Sequence, residues 1–119
     1  LDFGFLNGRI NGAIDGYYRD DKTSREILAF LEEDGCRWQL VDKDGSCVDG
    51  QFKRTDDPNI LILKKENGEE FGTVHVAYIS RRRNQGQIYL IRNTKATRFY
   101  LVSTDPAFTV ESGDVDADV

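Results

Sequence analysis

Three consecutive arginines form the segment of this sequence that is best suited to binding chemistry. Arg81, Arg82 and Arg83 stand between two alternating apolar segments that predict strands. Guanidinium groups are planar and offer paired donors to phosphate and carboxylate groups. Aromatic rings interleaved with arginines are typical of surfaces that hold single-stranded nucleic acid. The aromatic residues on the adjoining predicted strands are Tyr78, Tyr89, Phe99 and Tyr100.

This pattern predicts a binding site rather than a catalytic one. The expected partner is a protein or an anionic molecule, nucleic acid included. No membrane contact is expected, because no apolar run approaches the about 20 residues that span a bilayer. The competing interpretation is that the arginines solvate a hairpin tip and the rings fill the core. The expected contact residues are Arg81, Arg82, Arg83, Tyr89 and Arg98.

Two other functions stay open on the sequence alone. The apolar run at residues 60–63, with Trp38 and the strand aromatics, would suit a small-ligand carrier whose partial barrel surrounds an apolar pocket. A small enzyme could use His75, or a pair of acidic residues, if the fold brought a partner group within hydrogen-bond reach. The acidic residues concerned are Glu32, Glu33, Asp34, Asp56 and Asp57.

Metal and cofactor sites lack their usual spacing in this chain. One histidine and two cysteines form no paired ligand motif. The stretch at residues 42–45 begins like a calcium loop, but Cys47 stands where that loop needs Gly and Lys53 where it needs Glu. No glycine-rich phosphate loop follows a predicted strand. We therefore expect no metal and no cofactor, and the sequence favours a binding protein while leaving the enzyme open.

A helix is predicted over residues 24–34. Thr23 and Glu26 have the spacing of a capping box, in which each side chain satisfies the free backbone N–H of the other. An apolar stripe at three- and four-residue spacing follows, and Gly35 supplies a left-handed end. The stripe consists of Ile27, Leu28 and Leu31, with Phe30 beside it.

A hairpin with a definite register is predicted directly after this helix. If Gly45 takes a positive φ in a three-residue loop, Trp38 pairs with Gly50, and the glycine leaves room for the indole ring. A slip of one residue would scatter the apolar side chains over both faces. Cys36 and Cys47 then lie on opposite faces and cannot bridge. Two free thiols favour a reducing compartment such as the cytoplasm.

The predicted fold class is α+β, an antiparallel β-meander of about six strands behind the helix at residues 24–34. Asn67-Gly68 is the clearest hairpin signal, and short turns between sequential strands imply antiparallel pairing. Residues 1–103 are expected to form one domain and residues 104–119 a flexible acidic tail. Beyond the hairpin described above, strands are predicted at residues 60–63, 71–79, 87–92 and 98–103.

The N-terminal segment at residues 2–18 has a pattern of its own. Glycines recur every four residues, and apolar residues recur at three- and four-residue spacing. The pattern predicts either a helix with a flat glycine face or a series of turns, since Asn-Gly and Asp-Gly are turn dipeptides. The glycines are Gly4, Gly8, Gly12 and Gly16.

Charge is unevenly distributed along the chain, whose net charge is −5. Residues 51–103 carry 10 basic and 5 acidic groups, whereas residues 104–119 carry 5 acidic groups and no basic one. An acidic protein with a basic central stretch can still present a basic face to an anionic partner. The chain contains no Met, and we expect it to be a fragment or a processed product.

Overall fold

The computed structural model describes residues 12–33, 35–105 and 108. They form eight antiparallel strands that close into a barrel, in which each strand pairs with its neighbours in sequence and the last strand pairs with the first. The strands are β1 (Gly16–Asp20), β2 (Glu26–Leu31), β3 (Arg37–Asp42), β4 (Cys47–Arg54), β5 (Ile60–Lys65), β6 (Glu70–Ser80), β7 (Gln85–Arg92) and β8 (Lys95–Ser103).

The predicted α+β class is therefore wrong, and so is the open β-meander. No helix occurs in the described part of the chain, and the sheet closes on itself. The six strands expected from the sequence correspond to β3 to β8, while β1 and β2 were missed. The closure depends on the pairing of β1 with β8, whose partners, such as Tyr18 and Leu101, are far apart in the chain.

The predicted helix at residues 24–34 is strand β2. Its apolar run is buried on both faces of the sheet: Leu28 and Phe30 point into the barrel, while Ile27, Ala29 and Leu31 pack in a second cluster on its outside. A strand that is buried on both sides has no polar positions, so its apolar residues also match helical spacing. The strand is six residues long, shorter than the eleven residues assigned to the helix.

The described part of the glycine-rich segment, residues 12–18, is not helical. Gly16 begins β1 with a φ of 144° and pairs with Phe30, and residues 12–14 form a bend before it. The rest of this prediction, on residues 2–11, lies outside the described residues. So do residues 106–107 and 109–119, which hold most of the predicted acidic tail.

The hairpin between β3 and β4 confirms the predicted register. Trp38 pairs with Gly50, Gly45 has a φ of 95°, and the Asp42 N–H donates to the Ser46 carbonyl at 2.9 Å. The two cysteines are free. The predicted hairpin at residues 67–68 is also present, between β5 and β6.

Large apolar side chains fill the interior of the barrel. An eight-stranded barrel encloses a space that side chains can just occupy. Trp38, Tyr18, Phe30 and Phe99 are among the fully buried members, and pairs of their rings meet edge to face, as Tyr18 and Phe30 do at 5.8 Å between centroids. The indole N–H of Trp38 donates to the Lys64 carbonyl at 2.8 Å.

The alternating strand directions give the barrel two ends with different loops. One end, here called the arginine end, is built from residues 12–15 and from the turns after β2, β4 and β6. The opposite end carries the turns after β1, β3, β5 and β7. Among the described residues no helix has the length and apolar character needed to cross a membrane.

Candidate interaction surface

Strands β6, β7 and β8 form a continuous wall of the barrel with alternating inner and outer positions. Ile88 and Phe99 pair across β7 and β8 and are fully buried in the interior. Because successive side chains of a strand point to opposite faces, their neighbours Tyr89 and Arg98 must point outward. The same register places His75 of β6 beside Tyr89 on the outer face.

A second outward row lies nearer the arginine end. Tyr78, Gln87 and Tyr100 are paired across β6, β7 and β8. A β-bulge between Val76 and Tyr78 sets the tyrosine in this row. Tyr78 is 50% exposed and Tyr100 37% exposed, and they are the exposed large hydrophobic side chains among the described residues. We call this outer face of β6 to β8 the tyrosine face.

The tyrosine face belongs to a stretch of chain that has no carboxylate side chain. Residues 71–104 contain six basic residues and no Asp or Glu. Glu70, the first residue of β6, precedes this stretch, and Asp21 of the β1–β2 turn approaches the wall through its pair with Arg98. The six basic residues are Arg81, Arg82, Arg83, Arg92, Lys95 and Arg98.

Arg98 is held on the tyrosine face by an acidic residue of the β1–β2 turn. Its Nε donates to Asp21 Oδ2 at 2.9 Å, and its Nη2 pairs with the same oxygen. These hydrogen bonds and the charge of Asp21 raise the pKa of Arg98 above its ordinary value. Beside it, Gln87 Nε2 donates to the Tyr89 hydroxyl at 3.0 Å. Tyr89 and Arg98 are therefore cross-strand neighbours with fixed positions.

The three consecutive arginines occupy the turn between β6 and β7. Asn84 closes this turn with a φ of 55° and an N–H that donates to the Arg81 carbonyl. Arg81 points back to the barrel, where its Nη1 donates to the Asp15 carbonyl at 3.0 Å. Arg82 and Arg83 are exposed, and their guanidinium groups have no ion-pair partner within the described residues.

The five predicted contact residues thus fall into two groups. Tyr89 and Arg98 lie side by side on the tyrosine face, and the arginine turn lies at the edge of that face. Tyr78 and Tyr100 were noted as neighbouring aromatics but not selected. The signal that would have found Tyr100 is the alternation of β8, because a buried Phe99 sends the next residue outward.

Of the residues considered for catalysis, Asp34 lies outside the described residues, and the surroundings of His75 and Glu32 are as follows. His75 stands between Ile60 and Tyr89 on the outer face, and its imidazole makes no hydrogen bond within the described residues. Glu32 pairs with Arg54 and accepts the Ile14 N–H at 3.3 Å. No group of three or more His, Cys, Asp or Glu side chains that could hold a metal ion occurs in the described ranges.

Comparisons with known proteins give no identification of this fold or surface. No protein family, no curated protein and no solved structure matches this chain.

Proposed function

We propose that this protein is a non-enzymatic binding domain that holds a single-stranded nucleic acid on the tyrosine face. One observation carries the proposal: strands β6 to β8 present three outward tyrosines, and residues 71–104, which make up nearly all of these strands and their turns, contain six basic residues and no Asp or Glu. A phosphate backbone is attracted by such a surface, and every base has a π-face that can stack on a ring.

The exposed tyrosines supply the stacking part of this binding. Tyr78 and Tyr100 lie in one row, separated by Gln87 on the intervening strand. Stacking of a base on an aromatic side chain contributes about 1–3 kcal/mol and tolerates any sequence. Gln87 can add amide hydrogen bonds to base edges between the two rings.

The arginines supply the phosphate contacts, but not equally. Arg82 and Arg83 have no ion-pair partner within the described part of the chain, so a phosphate can meet their full charge. Arg98 already pairs with Asp21, so its charge is largely compensated before a partner arrives. Arg82 and Arg83 should therefore contribute more to the salt dependence of binding than Arg98.

Binding of a labelled single-stranded oligouridine of about 12 nucleotides, measured by fluorescence anisotropy, tests the proposal. We expect affinity to fall steeply between about 50 mM and about 200 mM salt, because phosphate contacts release counterions. Tyr100→Ser should weaken binding at least about fivefold, whereas Tyr100→Phe keeps the ring and should bind like the wild type.

Two controls separate this function from a general attraction between charges. Arg83→Ala should lower the affinity, while Arg25→Ala, which removes an exposed arginine on the β1–β2 turn, should not. A polyglutamate peptide of similar length offers charge without bases and should bind more weakly. Absence of oligouridine binding at low salt would refute the proposal, and stronger binding of polyglutamate would point to an acidic protein partner instead.

A further inference from the structure

A cleft opens at the arginine end of the barrel, next to the tyrosine face. Its volume is about 330 Å³, which is at the lower end of the range for small-molecule sites. It lies where residues 13–14, the β4–β5 turn and the bulged part of β6 meet. A space of this size holds one nucleobase.

Tyr78 belongs to both the cleft and the tyrosine face. It is an outward residue of β6 in the row with Gln87 and Tyr100, and its side chain also lines the cleft. Bases of a single strand can be splayed apart and held one by one. A strand that stacks one base on Tyr78 therefore brings a neighbouring base to the mouth of the cleft.

The floor of the cleft is aliphatic. Ile14 and Leu61 are buried members of the core cluster, with exposed fractions of 4% and 3%, and Val76 and Ile79 pack against that cluster. These side chains are held by the barrel itself, so the floor is preformed. A flat ring that rested on it would remove apolar surface from water, which is favourable.

The charges around the cleft cancel one another. Arg54, in the wall, pairs with Glu32. Arg81, also in the wall, donates to the Asp15 carbonyl at 3.0 Å, and the carboxylate of the same Asp15 is buried beside it. A charged group that entered the cleft would lose its hydration without an uncompensated partner to replace it. The cleft therefore favours an uncharged ligand.

One amide at the rim can read the edge of such a ligand. The backbone of Asn59 is fixed on both sides, because its N–H donates to Asp57 Oδ1 at 2.9 Å and its carbonyl accepts the Val76 N–H at 2.8 Å. Its side-chain amide makes no hydrogen bond within the described part of the chain. Asn59 therefore offers one donor and one acceptor from a fixed position.

We propose that this cleft receives one base of the strand bound on the tyrosine face, and that the preferred base is adenine. The inference rests on the proposed function, and it adds a base preference at one position to a surface that otherwise tolerates any sequence. An asparagine amide pairs with N6 and N7 of adenine through two hydrogen bonds. The two rings of a purine also cover more of the aliphatic floor than the single ring of a pyrimidine.

An amide NMR titration of the full chain with adenosine, and separately with uridine, tests the cleft without phosphate contacts, since both nucleosides are uncharged. Adenosine should shift the amides of Ala13, Val76 and Ile79 and bind at least about fivefold more tightly than uridine. Equal affinities for the two nucleosides would overturn the inference. Adenosine shifts that were confined to the tyrosine face, or absent, would overturn it as well.

Two oligonucleotides separate this inference from the proposed function. A single central adenosine in an oligouridine of about 12 nucleotides should raise the affinity at least about fivefold over oligouridine itself, measured by fluorescence anisotropy. If oligouridine binds and the adenosine adds nothing, the proposed function stands and the adenine cleft is refuted. If oligouridine does not bind, the proposed function fails, and the titration with free adenosine decides on the cleft.

Three variants locate the adenosine site on the protein. Asn59→Ala should reduce the preference for adenosine over uridine to within about twofold, because it removes both edge hydrogen bonds. Ala13→Trp, which adds a ring to an exposed position in the wall, should abolish the adenosine shifts in the cleft. Ala96→Trp is the matched control, since Ala96 is exposed on β8 and does not line the cleft, and it should keep the full preference. If Asn59→Ala keeps the preference, Asn59 does not read the base. Should Ala13→Trp fail to fold, the exposed Asn59→Ala variant still decides.

Discussion

At the scale of single residues, Asp20 shows how one side chain organises a turn. It is buried at the end of β1, and its Oδ2 accepts the Thr23 N–H at 2.8 Å and the Thr23 hydroxyl at 2.7 Å. Its Oδ1 accepts the N–H groups of Arg25 and Glu26, both at 2.9 Å. The Thr23–Glu26 spacing that predicted a helix cap therefore serves this turn, in which Ser24 has a φ of 58°.

These hydrogen bonds also set the titration of Asp20. Burial alone would raise its pKa, but the hydrogen bonds from Glu26, Thr23 and Arg25 outweigh burial and hold the pKa of Asp20 below its ordinary value. A carboxyl whose pKa is depressed by folding stabilises the fold fully above its unfolded pKa, about 3.9 for Asp. That stabilisation is lost as the pH falls below this value and through the folded pKa.

Asp20→Asn should therefore lower the free energy of unfolding by roughly 2–3 kcal/mol at neutral pH, because buried donors lose a charged acceptor. Urea unfolding at a series of pH values measures this. The difference from the wild type should shrink below about pH 4. Asp21→Asn is the matched control, since Asp21 makes an exposed ion pair, and it should cost less than about 1 kcal/mol. If the two variants lost the same free energy of unfolding, this role of Asp20 would be contradicted.

At the scale of elements, the sequence predicted the hairpin turns correctly. It did not reveal that strand β2 is buried on both of its faces. The hairpins at Gly45 and Gly68 were predicted correctly because both glycines take the positive φ, 95° and 89°, that their turns demand. Strand β2 was missed because its outer face is also apolar and buried, which removes the alternation that identifies a strand. The closing pair β1–β8 was missed because no local signal encodes a contact between distant segments.

Gly50 is needed for a reason that differs in part from the predicted one. It does pair with Trp38, but a Cβ at this position would lie 1.9 Å from the Lys64 carbonyl oxygen, the acceptor of the indole N–H. The glycine therefore permits close approach of the β5 backbone as well as space beside the ring.

Gly50→Ala should lower the free energy of unfolding by roughly 2–4 kcal/mol, because β5 must shift and weaken the hydrogen bond of Trp38. Gly86→Ala is the matched control on β7, where the nearest atoms would lie at 3.4 Å, and its cost should stay below about 1 kcal/mol. Thermal unfolding followed by Trp38 fluorescence compares the two variants. A Gly50→Ala protein as stable as Gly86→Ala would show that the close contact relaxes without cost.

At the scale of the whole molecule, six of the basic residues of the chain lie in one wall of the barrel and its turns. Residues 71–103 form nearly all of the wall of β6 to β8, and the arginine turn stands at one edge of it. That part of the candidate surface was predictable from alternation and composition. The cleft at the arginine end was not predictable from the sequence. It is lined by residues 13–14, the end of β4 and the bulged part of β6, which meet only after the barrel closes.

The measurement that most directly tests the central claim is an amide NMR titration of the full chain with unlabelled oligouridine at low salt. If the tyrosine face binds the oligouridine, shift changes will concentrate on β6 to β8 and on the turn at residues 81–84, with Tyr78, Tyr89 and Tyr100 among the residues most affected. Strands β2 and β3 should change little. A spectrum that does not respond, or changes confined to β2 to β4, would contradict the proposed nucleic-acid surface.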